Sequence, residues 1–315
     1  MKEYLKLLGW QSLALILVLS LMIRACLTIP FYKMYFPMTI IPSGDYLLFT
    51  FSLMLLMAGF NVICSYFDTK MSDILANTET LDNIKKLRLF YVLVVLGLGA
   101  LSYISFKYHV WQIGAIGLVF AGLSYIYAYK YKRQDLIGNI SIALLFSLLA
   151  FMPFLLEFFA FTHYQSEILI QIPTSAWLTF FKLFAFFAGF VFLLTFIRDL
   201  TADVANIEQN KKDGFMTFAV RHGEKLTNKV LVVCSLVFML FNAYFLYRMA
   251  DYMEIIHIVI LSLTNIVPFI YYIYKLLSAK RTEEVIMLYQ LLGMIYISLL
   301  FTIFYSQNLF TIDVI

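Results

Sequence analysis

Between two long apolar blocks lies a polar stretch, Phe196 to Phe215, whose residue types could do chemistry. Read as a helix, Asp199, Asp203, Asn206 and Asn210 fall four, three and four residues apart. At about 100° per residue they occupy a stripe roughly 60° wide. Two carboxylates and two carboxamides on one face, with Lys211 and Lys212 behind them, are oxygen ligands and cations that suit a magnesium-bridged phosphate. The same stretch also reads as a solvated helix in a connecting loop, its charges turned to water with no chemical role.

Two other polar stretches carry candidates. Far upstream, Asn61, Ser65, Asp68 and Ser72 share one face of a helix, with Cys64 on its margin, while Asp73 points elsewhere unless the helix distorts. Between them is the cation Lys70. In the middle of the chain, Tyr127, Lys132, Arg133 and Asn139 gather at the end of an apolar run. The neighbouring Tyr125, Tyr129 and Tyr131 read as interfacial anchors.

The elements that must position these residues are membrane helices. Of 315 residues, 63% are apolar and 13% charged, and the mean hydropathy is +0.87. A water-soluble chain of this length needs far more polar surface. The apolar residues cluster into runs of about 20, enough to cross a bilayer core as helix. Nine spans are expected, at about 8–29, 46–67, 88–107, 111–130, 138–161, 175–197, 227–247, 254–275 and 286–308. No room remains for a separate soluble domain, so residues 1–315 are expected to form a single transmembrane domain. The N-terminus has no small-residue cleavage site and reads as an uncleaved first helix. Cys26, Cys64 and Cys234 are odd in number, lie in or beside apolar segments and suggest neither a disulfide framework nor a metal motif. A nucleic-acid partner is not expected; membrane lipids are.

The basic residues assign the sides. The N-terminus and the connections after spans two, four, six and eight hold 18 of the 23 Lys and Arg residues, against Lys33, Lys107 and Arg248 in the opposite connections. This asymmetry places the N-terminus and the motif loops in the cytoplasm. Of the ionisable residues within spans, Glu157 and Lys182 lie at similar depth on consecutive antiparallel helices and are expected to pair or share a polar pocket. Arg24 is expected to snorkel. His109, His163 and His257 are isolated in sequence, and His222 reads as loop filler. A transporter has little support, since there is no inverted repeat and no chain of buried charges.

Three motifs in order resemble those of the UbiA superfamily of intramembrane prenyltransferases. Residues 198–225, RDLTADVANIEQNKKDGFMTFAVRHGEK, are similar to the family's second aspartate motif, REIIKDxxDxxGDxxxGxxTLPxxxG. Arg198 and Asp199 take the Arg-Glu positions, Asp203 the first motif aspartate, and Gly214, Thr217 and Gly223 the downstream marks. Residues 127–139, YAYKYKRQDLIGN, resemble YSYxLKRxxxxGN, and residues 58–73, AGFNVICSYFDTKMSD, resemble the first motif, AGYIINDYFDxxxD.

The resemblance implies an all-α, polytopic membrane protein with nine transmembrane helices in a UbiA-like bundle. It also implies transfer of a polyprenyl group from a polyprenyl diphosphate to a lipophilic acceptor. Asp68 and Asp203 would be catalytic. Magnesium would be held by Asp68, Asp73, Asp199, Asp203, Asn206 and Asn210. Substrate would be held by Asn61, Lys70, Tyr127, Lys132, Arg133, Asn139, Arg198, Lys211 and Lys212. The chain departs from the family at Cys64, Ser65 and Ser72 in the first motif and at Asn206 and Asn210 in the second. An asparagine ligates magnesium through its carbonyl oxygen but adds no negative charge. A second reading therefore stays open, a catalytically degenerate relative that binds an isoprenoid or lipid, or serves as a partner subunit.

Overall fold

The computed structural model describes residues 7–35, 39–76, 81–168, 173–278 and 282–307, and their side chains apart from those of residues 70–76, 81–82, 165–168, 252 and 282–283. The chain enters through α1 (Trp10–Ile23), passes a π-turn at Arg24–Thr28 and continues into α2 (Ile29–Tyr35). Next come α3 (Ser43–Ala76), α4 (Leu81–Lys107) and α5 (Trp111–Tyr129). A short 3₁₀ turn, Tyr131–Arg133, leads into α6 (Asp135–Ile168), followed by α7 (Thr174–Ala205). Two short helices, α8 (Ile207–Lys212) and α9 (Phe218–His222), precede α10 (Glu224–Met249), α11 (Ile255–Asn265), α12 (Val267–Ser278) and α13 (Thr282–Ser306).

Among the described residues, nine helical segments are long and apolar enough to span a membrane, running from Trp10–Tyr35 to Glu284–Ser306. They coincide with the nine expected spans. The eighth is broken at Ile266, between α11 and α12. Pro268 explains the break, because it offers no amide to the preceding turn and its ring crowds that turn. The protein is an integral, multi-pass membrane protein. Large apolar side chains such as Phe106, Leu240 and Leu277 are exposed on the outer surface of the bundle, where lipid rather than water surrounds them.

Within a membrane, helices gain little from hiding apolar surface from one another, so packing and interhelical hydrogen bonds hold the bundle. The most enclosed span is α7. Its Phe180, Phe184, Phe187 and Phe190 are fully buried. Phe180 stacks on Phe31 of α2 at 4.2 Å, and Phe186 stacks on Phe245 of α10 at 3.7 Å. Ser147 of α6 donates to the Ala188 carbonyl at 2.9 Å. Helix α3 has 34 residues, about 51 Å of helix, well beyond the hydrocarbon thickness of a bilayer. Its last turns therefore project past the span that ends at Thr69, and Asp68 sits at one end of the bundle, here termed the motif end.

The polar residues at the opposite end differ from expectation. Glu157 is fully buried and pairs with Arg24, whose Nη1 donates to Glu157 Oε1 at 3.0 Å. Arg24 Nη2 donates to Thr39 Oγ1 at 3.1 Å and to the Ile41 carbonyl, and the guanidinium lies 4.4 Å over the Tyr46 ring. Lys182 is exposed and forms no ion pair among the described residues. The reason is rotation about α7. Phe180, Leu183, Phe184 and Phe187 form its inward stripe, and Lys182 projects away from it. Arg24 does not snorkel, because it opens the π-turn and is 5% exposed. His109 and His163 are not isolated either, since their rings stack at 4.8 Å.

Candidate functional site

The motif end is assembled from four elements. The 3₁₀ turn Tyr131–Arg133 lies against the end of α3. Lys132 Nζ donates to Asp68 Oδ2 at 2.5 Å, and Arg133 Nη2 donates to the Phe67 carbonyl at 2.7 Å. The turn is tight because Gly138, one turn into α6, packs under it. A Cβ at Gly138 would come within 2.6 Å of the Tyr131 carbonyl oxygen. Gly138→Ala is therefore expected to lower thermal stability in detergent by about 1–3 kcal/mol, the usual cost of overpacking against backbone. A melting curve unchanged from the parent would show that the turn can shift freely.

Just beyond Gly138, Asn139 is 2% exposed and faces α7. Its Nδ2 donates to Asp199 Oδ2 at 2.8 Å and to Asp203 Oδ2 at 2.9 Å. Two carboxylates thus converge on one amide nitrogen, an arrangement that concentrates negative charge in a half-buried pocket. Lys132 lies within charge-interaction range of Asp68, Asp199 and Asp203, between the two acidic halves of the site. Tyr127, 3% exposed, lies within range of the same three carboxylates and packs its ring 5.6 Å from Phe60.

The loop after α7 folds back over this cluster. Met216 N donates to the Arg133 carbonyl at 3.1 Å, in a parallel bridge between Gln134 and Met216. The Phe215 ring lies 5.1 Å from the Arg133 guanidinium. Asp135 accepts from Arg221 Nη1 at 3.2 Å and pairs with His222 Nε2 at 3.1 Å, so α9 is fastened to the start of α6. His222 is therefore a fastening rather than loop filler. Asp135 and Phe215 both lie inside the motif stretches, yet nothing in their spacing singled them out.

Not every expected residue is brought here. Asn61 Nδ2 donates to the Leu8 carbonyl at 2.9 Å and to Ser12 Oγ at 3.1 Å, holding the entry to α1. Arg198 turns to α13, where it donates to the Tyr289 hydroxyl at 2.8 Å and lies 4.4 Å over that ring. The expected stripe of four oxygen ligands breaks at Asn206, where α7 ends. Asn206 is exposed and donates back to the Ala202 carbonyl at 2.8 Å. Asn210, Lys211 and Lys212 lie on the separate helix α8, with both lysines exposed. The side chains of Lys70 and Asp73 lie outside the described residues.

The donor set fits a magnesium ion. Magnesium is commonly held by one or two carboxylates together with substrate phosphates and water, not by an all-protein cage. Asp199 and Asp203 supply that carboxylate pair. Asn139 Oδ1 and Asp68 Oδ1 are buried acceptors without a hydrogen-bond partner. Among the described residues no group of three or more His, Cys, Asp or Glu side chains gathers closely enough to hold a metal ion, so the protein supplies the carboxylate pair and substrate and water the rest.

Comparison with known proteins places the chain in a family. The model of the UbiA prenyltransferase family matches residues 26–303. A digeranylgeranylglyceryl phosphate synthase of Methanobrevibacter smithii is 28% identical over 188 residues, 58% of this chain and 59% of that protein. The chain thus matches somewhat under two thirds of the length of that relative. A UbiA homologue from Archaeoglobus fulgidus, solved with DMAPP and Mg2+, superposes with a TM-score of 0.56 at 15% identity, covering 96% of this chain and 98% of the other. The same homologue with GPP and Mg2+ gives 0.56 and 15%, covering 96% and 99%. These solved structures share the fold of nearly the whole chain, and with the family match over most of its length, the chain belongs to the UbiA prenyltransferase family.

Proposed function

We propose that the protein is a membrane-embedded prenyltransferase, moving a polyprenyl group from a polyprenyl diphosphate to a lipophilic acceptor at the motif end. The observation that carries this reading is the convergence of Asp199 and Asp203 on Asn139, with the Lys132–Asp68 pair alongside. Asp199, Asp203 and the carbonyl oxygen of Asn139 would hold magnesium, while Asp68 holds Lys132 alongside. When bound, the ion offsets the charge of the departing pyrophosphate. Lys132 and Arg133 give the diphosphate fixed positive charge, and Asp68 and the Phe67 carbonyl hold those two side chains in place. Preorganised cations of this kind stabilise charge as it develops on the leaving group. As the allylic C–O bond breaks, its electron pair leaves with pyrophosphate, and the acceptor bonds to the resulting carbocation and gives up its proton to pyrophosphate or water. Tyr127 and Phe60 are buried and pack together beside the carboxylates, and such apolar enclosure would limit water as a competing acceptor.

A cytoplasmic orientation of this end is supported by the basic residues around it, through the usual bias of cytoplasmic loops toward Lys and Arg. The family relationship and the paired carboxylates favour the enzyme over a degenerate binding protein. The test uses purified protein in lipid nanodiscs, radiolabelled polyprenyl diphosphates and a membrane lipid extract as acceptor. Pyrophosphate release and a labelled lipid product should both appear with magnesium and vanish with a chelator. Tight donor binding without release at any magnesium concentration would instead support the non-catalytic reading.

A further inference from the structure

Asp199 and Asp203 meet Asn139 only while α7 is turned the right way about its axis. Side-chain ends lie about 5–6 Å from a helix axis, so a turn of roughly 10° moves a carboxylate by about 1 Å. Misplacement on that scale can cost a reaction about a hundredfold. Apolar packing within a membrane has little directional preference, whereas a hydrogen bond needs its partner at one angle.

Three hydrogen bonds on another face of α7 supply that direction. Thr195 shares one with the Tyr296 hydroxyl at 2.5 Å, and Arg198 Nη2 donates to the Tyr289 hydroxyl at 2.8 Å. Thr201 Oγ1 donates to the Ile197 carbonyl at 2.7 Å and therefore accepts from the Tyr272 hydroxyl at 2.6 Å. Thr195, Thr201, Tyr272 and Tyr296 are all buried. Counted along the helix, the mean direction of residues 195, 198 and 201 lies about 120° round from that of Asp199 and Asp203. The acids thus face α6, while the same stretch of α7 is tied to α12 and α13. On α13 the Arg198 guanidinium lies 4.4 Å over the Tyr289 ring and 5.9 Å from the Tyr296 ring. Gly293, between those tyrosines, leaves room for it, since a Cβ there would stand 3.9 Å from Arg198 Nε and a longer side chain would fill the space.

We propose that Tyr272, Tyr289 and Tyr296 are positioning residues. Through Thr201, Arg198 and Thr195 they lock the rotation of α7 that presents Asp199 and Asp203 to magnesium, a role that rests on the proposed metal site. Arg198 then serves as a strap to α13 rather than as a substrate contact.

The test counts Mn2+ bound, with inorganic pyrophosphate, to the protein in nanodiscs, from the electron paramagnetic resonance signal of the free ion. The parent should bind, and no binding would overturn the metal site and the positioning role together. Each tyrosine bond favours the competent rotation by about threefold, the average for an interhelical hydrogen bond in a membrane. Tyr272→Phe/Tyr289→Phe/Tyr296→Phe keeps every ring and loses all three bonds, about thirtyfold in that preference. Apparent affinity falls with the competent fraction, so its Mn2+ affinity should drop by about tenfold or more. Thr195→Val/Thr201→Val removes two of the same bonds from the α7 side and should weaken binding by at least about threefold, which keeps the proposal open to refutation if the triple variant does not fold. Asn265→Leu is the control. It removes a buried hydrogen bond from α11 to Thr302 of α13, in which α7 takes no part, and should leave Mn2+ affinity within about twofold of the parent. If the parent binds and the folded tyrosine or threonine variants bind equally well, the metal site stands and the positioning role is wrong. An equal loss in Asn265→Leu would mean a general loosening of the bundle, and would overturn the positioning role in the same way.

Discussion

Asp203→Ala is expected to reduce magnesium-dependent pyrophosphate release by about a thousandfold, roughly 4 kcal/mol of lost transition-state stabilisation. Asp203 shares the single Nδ2 group of Asn139 with Asp199. Removing one carboxylate leaves one anionic ligand where two converged, and magnesium beside a diphosphate depends on such charge. Asp203→Asn keeps the shape but not the charge, so raised magnesium should recover part of its activity while recovering little in Asp203→Ala. Asp68→Ala should be similarly damaging by another route. It frees Lys132 from its carboxylate partner, so the cation between the acidic halves is no longer aimed. Reversing the charge of both Lys211 and Lys212 should change turnover by less than about threefold, since both are exposed on α8 beyond the end of α7 and exposed charges are well screened. The measurement is single-turnover pyrophosphate release from protein verified as folded. Turnover of Asp203→Ala within tenfold of the parent would mean that the paired carboxylates are not the metal site.

The parts of this molecule that were legible in the sequence are those governed by one-dimensional rules. Span number followed from apolar run length, because a bilayer sets a minimum length for each crossing helix. The pairing of Asp199 with Asp203 followed from their spacing of four, which stacks side chains on one helix face. The stripe failed at Asn206 because spacing says nothing about where a helix ends, and the turn after Ala205 points that side chain outward. Arg198 failed for a related reason. Adjacent helical residues project about 100° apart, so Arg198 cannot face Asn139 alongside Asp199, and it meets Tyr289 of α13 instead. The fastening of α9 by Asp135, and the bridge between Gln134 and Met216, depend on how two loops distant in sequence approach each other. No local pattern records that approach.

Depth without rotation also misplaced the intramembrane charges, and the true pair carries the largest expected effect on stability. Glu157→Leu alone is expected to destabilise the folded protein by about 3–5 kcal/mol, because Arg24 keeps its charge at 5% exposure and loses its one ionic partner among the described residues. The remaining contacts to Thr39 and the Ile41 carbonyl are hydrogen bonds without charge compensation. Arg24→Met alone should cost a similar amount by stranding Glu157. The double replacement Arg24→Met/Glu157→Met should cost less than either single change, because it strands no charge, although Thr39 Oγ1 and the Ile41 carbonyl lose the Arg24 donor. The π-turn gives a reason for the pair to persist although it adds little net stability. Such turns insert an extra residue that shifts the face a helix presents. At Arg24 that shift accompanies an inward-facing guanidinium bonded both to α6 and to the segment before α3. Unfolding titrations in mixed micelles of all three variants measure this directly. Equal losses in the single and double variants would mean that the pair stabilises the bundle in its own right, and that the cost of desolvating it has been overcome by the hydrogen bonds around it.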